Sequence, residues 1–368
     1  MGKKSNDNII CVKISAKTIL ENIRTLKKNL EPNVQICAVI KANAYSLGDV
    51  EIAKILLPYV SCFAVAHLAE AKRLRDANIT NQILLLGPCQ DFKKALDLDL
   101  MISINSVSEA KNCVKVINEI QKQKLEPLNV HWHIKVNTGL NRFGISELND
   151  LQSILNVAIK CSSIKLGALY THLSYDEQNT NAVNEQLERF VPFKTLFKQY
   201  AQNGIIHAAC SHTAHYNPAQ FDMVRIGKSF YGGYHGYKTA LDVKAKITAT
   251  QNIKSGERVG YNGTFQATEN MKIGVVACGY ADIMDCNFAN KTYVYVDDVK
   301  CKIIGRICMD AFMIDVTQIK NPMNKMATII ANRPGITIME LCEKSDIIAC
   351  DLFCGLNFGR AKLTYTNR

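Results

Sequence analysis

The chain has 368 residues, 44 of them Lys or Arg against 33 Asp or Glu, a formal charge of +11, and 48% are hydrophobic, enough to fill one large core or two domain cores. Its apolar runs are broken by charge well short of the ~18–20 residues a membrane helix needs, and the opening MGKKSNDNII lacks the apolar stretch of a signal peptide. The basic residues are dispersed, with no stripe and no interleaved aromatics, which argues against nucleic acid and leaves small anions as natural ligands.

Fourteen cysteines are spread from Cys11 to Cys354 without a CxxC pair. In a chain with no export signal they read as small buried hydrophobes kept reduced in a cytoplasmic protein, and disulfides are not expected. The first predicted element is a helix over 18–30, where Ile19, Ile23, Leu26 and Leu30 share one face. Short apolar runs follow at 34–40, 62–66, 82–86, 100–104, 129–136, 164–172, 205–210 and 223–227. Helix-like segments such as HLAEAKRLRDA and SVSEAKNCVKVI separate most of them. Eight such units match a (β/α)8 barrel, with a doubly wound parallel sheet as the alternative. Near Lys238 the pattern changes to β-branched, roughly period-two segments, with helical spacing only in GITIMELCEK. The expected organisation is an α/β barrel over 1–237 and a mostly β domain over 238–368.

Chemically active residue types stand at the ends of the eight runs. Lys41 ends the first, Arg142 lies beyond the fifth, Tyr170 and His172 are on the sixth, Ser211 follows the seventh and Arg225 is on the eighth. Strand C-termini and the loops after them form the working face of a barrel, so Lys41 is a candidate Schiff-base amine. The plain alternative is a strand-end lysine whose stem lies on apolar surface.

The segments AVIKANAYSLG, KVNTGLNRFG, YTHLS, HAACSHTAHY, FDMVRIGKSFYG, VGYNGTF, VACGYAD and GRICMDAFMIDVT resemble, in order, the motifs of alanine racemases. The resemblance runs from about Val34 to Val316 and fades toward the C-terminus. It implies a pyridoxal-phosphate-dependent racemase that interconverts L- and D-alanine and supplies D-alanine for cell-wall peptidoglycan. Lys41 would carry the cofactor and act as one acid/base, and Tyr261 from a second subunit would act on the opposite face of the substrate, which makes the active unit a homodimer. Racemisation removes a proton from one side of Cα and returns it on the other, which two flanking groups accomplish most simply. His172 and Arg225 would couple to the tyrosine. Arg225 would also face the pyridine nitrogen, where a guanidinium donates a hydrogen bond without protonating the ring.

By the same resemblance Tyr45, Tyr170, Ser211 and the amides of Gly227 and Lys228 would hold the cofactor. Arg142, the Met309 amide and Asp310 would serve the substrate, and Lys135 matches a lysine often carbamylated in the family. No metal is expected. His131 with His133, and Cys210 with His212 and His215, imitate ligand sets, but the second group lies where the phosphate loop should be. The chain departs from the pattern at Ser46 and Leu47, which replace a glycine and a histidine, at Asn137 for an aspartate, at Cys210 for an asparagine and at Phe358 for a tyrosine. The open alternatives are a racemase of another small amino acid such as serine, or a non-catalytic cofactor carrier. A basic amino-acid decarboxylase fits less well, because the chain shows neither a glycine-triplet phosphate loop nor an acid opposite the pyridine nitrogen.

Overall fold

The eight apolar runs are eight parallel strands in the computed structural model, which describes residues 9–123, 128–176 and 178–366. One strand precedes them, β1 (Ile10–Ser15). The eight are β2 (Gln35–Val39), β3 (Cys62–Val65), β4 (Ile83–Leu85), β5 (Leu100–Ile104), β6 (Val130–Lys135), β7 (Ile164–Tyr170), β8 (Ile205–Cys210) and β9 (Met223–Ile226). β9 pairs with β2, which closes the ring and excludes the open doubly wound sheet. Most of these strands are apolar on both faces, because helices cover the outside and side chains fill the inside. Helices Leu68–Asp76, Phe92–Asp97, Val107–Gln121, Leu148–Ala158 and Thr180–Tyr200 follow β3 to β7 in turn. Their starts are fixed locally: Asp91, Ser106 and Asn179 each accept a first-turn N–H through the side chain.

Inside the barrel, Cys37, Cys62, Ala64, Leu84, Met101 and Met223 form an apolar plug. Two residues further along the strands, the same face turns polar with Ser103 after Met101 and Arg225 after Met223. That change of layer positions the site.

The remaining strands are β10 (Leu241–Ile253), β11 (Arg258–Val259), β12 (Phe265–Gln266), β13 (Met271–Val276), β14 (Tyr293–Val296), β15 (Val299–Ile304), β16 (Phe312–Asp315), β17 (Met326–Ile330) and β18 (Lys362–Thr366). The pairings β10-β13-β16-β15-β14-β17-β10 are all antiparallel and close on themselves, so the second unit is itself a β-barrel. β10 is long enough to serve two neighbours in succession, meeting β17 along its first half and β13 along its second.

The domain boundary differs from the sequence expectation. Among the described residues the compact units are Arg24–Gly227 on one side, and 9–23 together with 228–366 on the other. The reason is β1: Ile10, Val12 and Ile14 are buried on one face, and the strand pairs antiparallel with β10 and parallel with β18. A six-residue strand carries no sequence mark of a partner more than 200 residues away. Among the described residues no helix is long and apolar enough to cross a membrane. The cysteines form no disulfide among the described residues, and about half of them are buried.

Membership of β1 in the β unit has a measurable consequence. Ile14→Ala removes a fully buried side chain and should cost about 2–5 kcal/mol of stability in denaturant unfolding. A loss within the error of the measurement would place β1 outside that core.

Candidate active site

Directly after β2 the backbone changes hand. Ala42, Asn43 and Ala44 sit at φ/ψ near 53/49, 54/46 and 51/50, and Tyr45 and Ser46 follow at φ 58 and 68. Five consecutive non-glycine residues are therefore left-handed, at roughly 1–2 kcal/mol each. Strain of this kind persists only where surrounding structure over-determines it. Within the turn, Ala44 N–H donates to the Ile40 carbonyl at 2.9 Å, Ser46 N–H to Ala42 at 2.8 Å and Gly48 N–H to Asn43 at 2.9 Å. Ala44 and Leu47 are buried beneath it. Lys41, the first residue of this turn, is half-buried at the C-terminal end of β2. It is not sealed in apolar packing.

Arg225, 3% exposed, lies in the polar layer of the barrel. Its Nη1 reaches His207 Nδ1 at 2.6 Å, and its Nη2 reaches the carbonyls of Thr171 and Ala208 at 2.7 and 3.0 Å and His172 Nδ1 at 3.2 Å. A guanidinium only donates, so both imidazoles accept at Nδ1 and carry their proton on Nε2. His207 Nε2 then donates to His133 Nδ1, 3.2 Å away. Burial, reinforced by nearby positive charge, pushes His133 down to about 3 and holds His172 and His207 well below the ordinary imidazole value. All four partners of the guanidinium are thus neutral.

Tyr170 supports this group from below. Its ring stacks on His207 at 4.6 Å and lies 5.2 Å from the Arg225 guanidinium carbon. Its hydroxyl bonds Ser103 Oγ at 2.7 Å, and burial raises the phenol to about 12. Tyr170, expected to help hold a cofactor, is 1% exposed, with its hydroxyl bonded to Ser103 and its ring beside the guanidinium.

Lys135 is 5% exposed and forms no ion pair among the described residues. Its amine lies 5.1 Å from the Phe143 ring and 5.5 Å from the Tyr170 ring. Burial first, then the charges of Arg225, Arg142 and Lys41, bring it down to about 7. Arg142 is exposed on the following loop, 5.9 Å from the Phe143 ring. Asn137 organises that loop: its Oδ1 accepts from the N–H groups of Gly139 and Asn141, and its Nδ2 donates to Asn141 Oδ1 and Ser146 Oγ. An aspartate could supply only the first pair of bonds.

Tyr45, Ser211 and Gly227 meet at the same mouth. Gly227 N–H donates to Ser211 Oγ at 3.2 Å, and a Cβ on Gly227 would lie 2.3 Å from Tyr45 Oη, so only glycine lets the phenol and the amide converge. Lys228 opens the short 3-10 turn that follows, Lys228–Tyr231. Among the described residues no three His, Cys, Asp or Glu side chains could hold a metal ion, the Cys210, His212 and His215 set included.

The other expected residues gather on one loop cluster of the β unit. Tyr261 opens a 3-10 turn between β11 and β12 and is 69% exposed. Met309 and Asp310 are exposed on the 306–311 loop. Gly279 permits the next loop to lie against it, since a Cβ there would come within 2.3 Å of the Cys308 and Met309 carbonyls. Asp282, buried, takes both Nε and Nη2 of Arg360 at 2.7 Å, and Asn357 Nδ2 donates to the Ala281 carbonyl, which fixes half-buried Phe358 on this cluster.

Sequence reasoning assigned no role to Ser103, His207 or Glu70, and set His133 aside. The only available signal was the shared face of His133 and Lys135 on β6.

A closed parallel barrel with a cationic mouth, joined in sequence to an antiparallel β-barrel, is the architecture of a known class of racemases. Residues 14–235 match the alanine racemase N-terminal domain model and residues 240–365 the C-terminal domain model. The chain is 28% identical over 362 residues to the alanine racemase of Corynebacterium glutamicum strain R, covering 94% of this chain and 97% of the relative. It superposes on the crystal structure of alanine racemase from Bacillus anthracis with bound L-Ala-P, with a TM-score of 0.86, 26% identity and coverage of 99% and 96%. It also superposes on that from Bartonella henselae with covalently bound pyridoxal phosphate, with a TM-score of 0.83, 25% identity and coverage of 97% and 99%. The chain belongs to the alanine racemase family.

Two outcomes follow from the geometry of the barrel mouth. Ser46→Gly removes the left-handed penalty at one position and should raise stability by about 0.5–1 kcal/mol, net of the added chain entropy, as read from chemical denaturation. The Lys135 amine has a folded pKa near 7 against about 10.5 unfolded, so its buried charge costs stability fully below pH about 7 and progressively less up to about 10.5. Lys135→Met in carbon-dioxide-free buffer should therefore raise the melting temperature most on the acid side and flatten its rise over that window. An unchanged slope would contradict the shifted amine.

Proposed function

We propose that this protein is a pyridoxal-phosphate-dependent alanine racemase that works in the cytoplasm as a homodimer. The observation that carries this reading is a half-buried lysine on a strained turn at the mouth of a barrel whose interior holds a permanent cation, Arg225, among neutral histidines. The residues fit the cofactor. The missing Cβ at Gly227 lets Tyr45 Oη, Ser211 Oγ and the Gly227 amide converge, and a phosphate there would take the two hydroxyls and the amides of Gly227 and Lys228. When bound, the cofactor supplies the electron sink that makes the substrate Cα proton acidic.

The protein's own groups do the rest. Arg225 would meet the ring nitrogen with a hydrogen bond it can donate but never convert into proton transfer, and its four neutral partners leave that charge undiminished. Arg142 takes the substrate carboxylate, with the amide of Met309 of the partner subunit as a second donor, and Asp310, which only accepts, stands next to that amide in sequence. Lys41 Nζ exchanges the Cα proton on one face, and Oη of Tyr261 of the partner subunit exchanges it on the other. The exposure of Tyr261 on a loop of the β unit supports a role outside its own chain. A neutral Lys135 amine near pH 7 is the form that can take up carbon dioxide, which supports carbamylation, and the resulting carboxylate would give Arg142 a partner. Phe358 offers no hydroxyl to a polar substrate side chain, which favours alanine over serine. The product would supply D-alanine for peptidoglycan.

Complementation tests the composite site. Lys41→Ala and Tyr261→Phe chains should each be inactive in L- to D-alanine conversion, yet after mixing and dissociation–reassociation they should recover about one quarter of wild-type activity, since half the dimers are mixed and each has one intact site of two. No recovery would rule out a tyrosine shared between subunits. An active Lys41→Ala chain would rule out the cofactor lysine.

A further inference from the structure

The left-handed turn after β2 satisfies most of its own backbone groups, but internal bonds do not choose its hand or its direction. The restraints from outside do, and several come from a single helix. Glu70, buried, accepts Ala42 N–H on Oε1 at 2.7 Å, while its Oε2 accepts the N–H groups of Ala66 and His67 at 2.7 and 3.1 Å. One carboxylate thus spans the loop after β2 and the loop after β3. Its bond to His67 is an ordinary helix-capping contact. The bond to Ala42 belongs to no helix cap.

Three residues on, Arg73 grips the far end of the turn. Its Nε and Nη2 reach Asp49 Oδ2 at 3.1 and 2.7 Å. Asp49 N–H in turn donates to Asn43 Oδ1, inside the left-handed stretch, at 3.0 Å. Positions three apart share a helix face, so Leu68–Asp76 holds both ends of the turn from one side. The peptide joining Lys41 to Ala42 is planar, and fixing its N–H fixes the direction in which Lys41 leaves β2.

Resting on the reading of Lys41 as the cofactor lysine, we propose that Leu68–Asp76 is the clasp of this turn, with Glu70 and Arg73 as positioning residues that aim Lys41 into the barrel mouth. Three backbone donors converge on the Glu70 carboxylate, so Glu70→Gln keeps shape but turns a donor toward a donor at one end, freeing either Ala42 or the Ala66 and His67 pair. Arg73→Met releases the other end.

The test uses full-length protein and three readouts: hydrogen exchange over residues 42–49 in apo protein, the pH titration of the visible absorbance of bound pyridoxal phosphate, and kcat against KM for alanine. Both variants should exchange faster over 42–49 with the barrel strands unchanged. Both should shift the absorbance midpoint and lower kcat by about ten- to a hundredfold with KM nearly constant. Adding Ser46→Gly to Glu70→Gln should restore kcat several-fold by relieving the strain the clasp no longer balances. Wild-type exchange and kcat in either variant would overturn the clasp, as would a kcat loss that appears only with global melting. Should Glu70→Gln fail to fold, Arg73→Met combined with Asp49→Asn decides, since the pair releases this end of the turn without leaving the Asp49 carboxylate, whose side chain is 5% exposed, buried and unpaired. A wild-type chain that gains no Lys41-dependent absorbance would overturn the cofactor reading instead, and exchange over 42–49 would still judge the clasp.

Discussion

The constraint on which the site depends is the burial of Arg225. A guanidinium cannot shed its charge, so every group packed against it must answer to that charge. No carboxylate does. Two carbonyls and two imidazoles accept its bonds, and the positive field then dictates the proton positions on His207, His172 and, one bond further, His133. A buried ion without a counterion is costly, and neutral acceptors recover only part of the lost hydration. That cost is sensible where a permanent, unneutralised donor is wanted in the interior. An ion pair would have cancelled the field, and a protonatable residue would have let it vary with pH.

A second cost lies just past the end of β2, the strand paired with β9. The left-handed stretch after Lys41 and the buried guanidinium are both unfavourable locally and both sustained by neighbours that pack without strain. The apolar plug and the outer helices supply that support. In each case the sustaining contacts are polar and specific, a carboxylate on Ala42 N–H and carbonyls on Arg225, because apolar packing fixes volume without fixing the direction of a bond.

Much of the barrel was legible in the sequence because each parallel strand is buried on both faces and so appears as a continuous apolar run between polar helices. The ends of those runs also marked the mouth of the site, since Lys41, Arg142, His172, Ser211 and Arg225 interrupt patterns that would otherwise stay apolar. What could not be read were relations between distant positions. β1 alternates like any half-buried strand, and nothing in ICVKIS says that it pairs with β10 instead of entering the barrel. His207 sits in IIHAAC as an isolated polar residue, and its meaning comes from register, which places β8 beside β9 and its imidazole against Arg225. Tyr170 was given a cofactor role by resemblance, with no account of what its side chain packs against. The period-two alternation of β7 places it inward with Ala168, under the guanidinium. The hand of the turn at 42–46 was the least legible feature, because alanine, asparagine, tyrosine and serine all prefer the right-handed form in isolation.

Taken together, these features make the barrel mouth a site whose balance is incomplete until an anion arrives. Lys41, Lys135, Arg142 and Arg225 raise the local potential, the histidines are held neutral, and the two buried acids by the turn after β2 are already engaged, Glu70 by three backbone N–H groups and Asp49 by Arg73. Each cation depresses its neighbours: the Lys135 amine is driven toward neutrality by three other positive groups after burial itself. A ligand bringing a phosphate and a carboxylate would reverse those terms one by one, so binding energy and relief of repulsion act in the same direction. The dispersed surface charge of +11 then has a simple part to play, drawing small anions toward the protein from any side while leaving selection to the few cations that burial has made expensive.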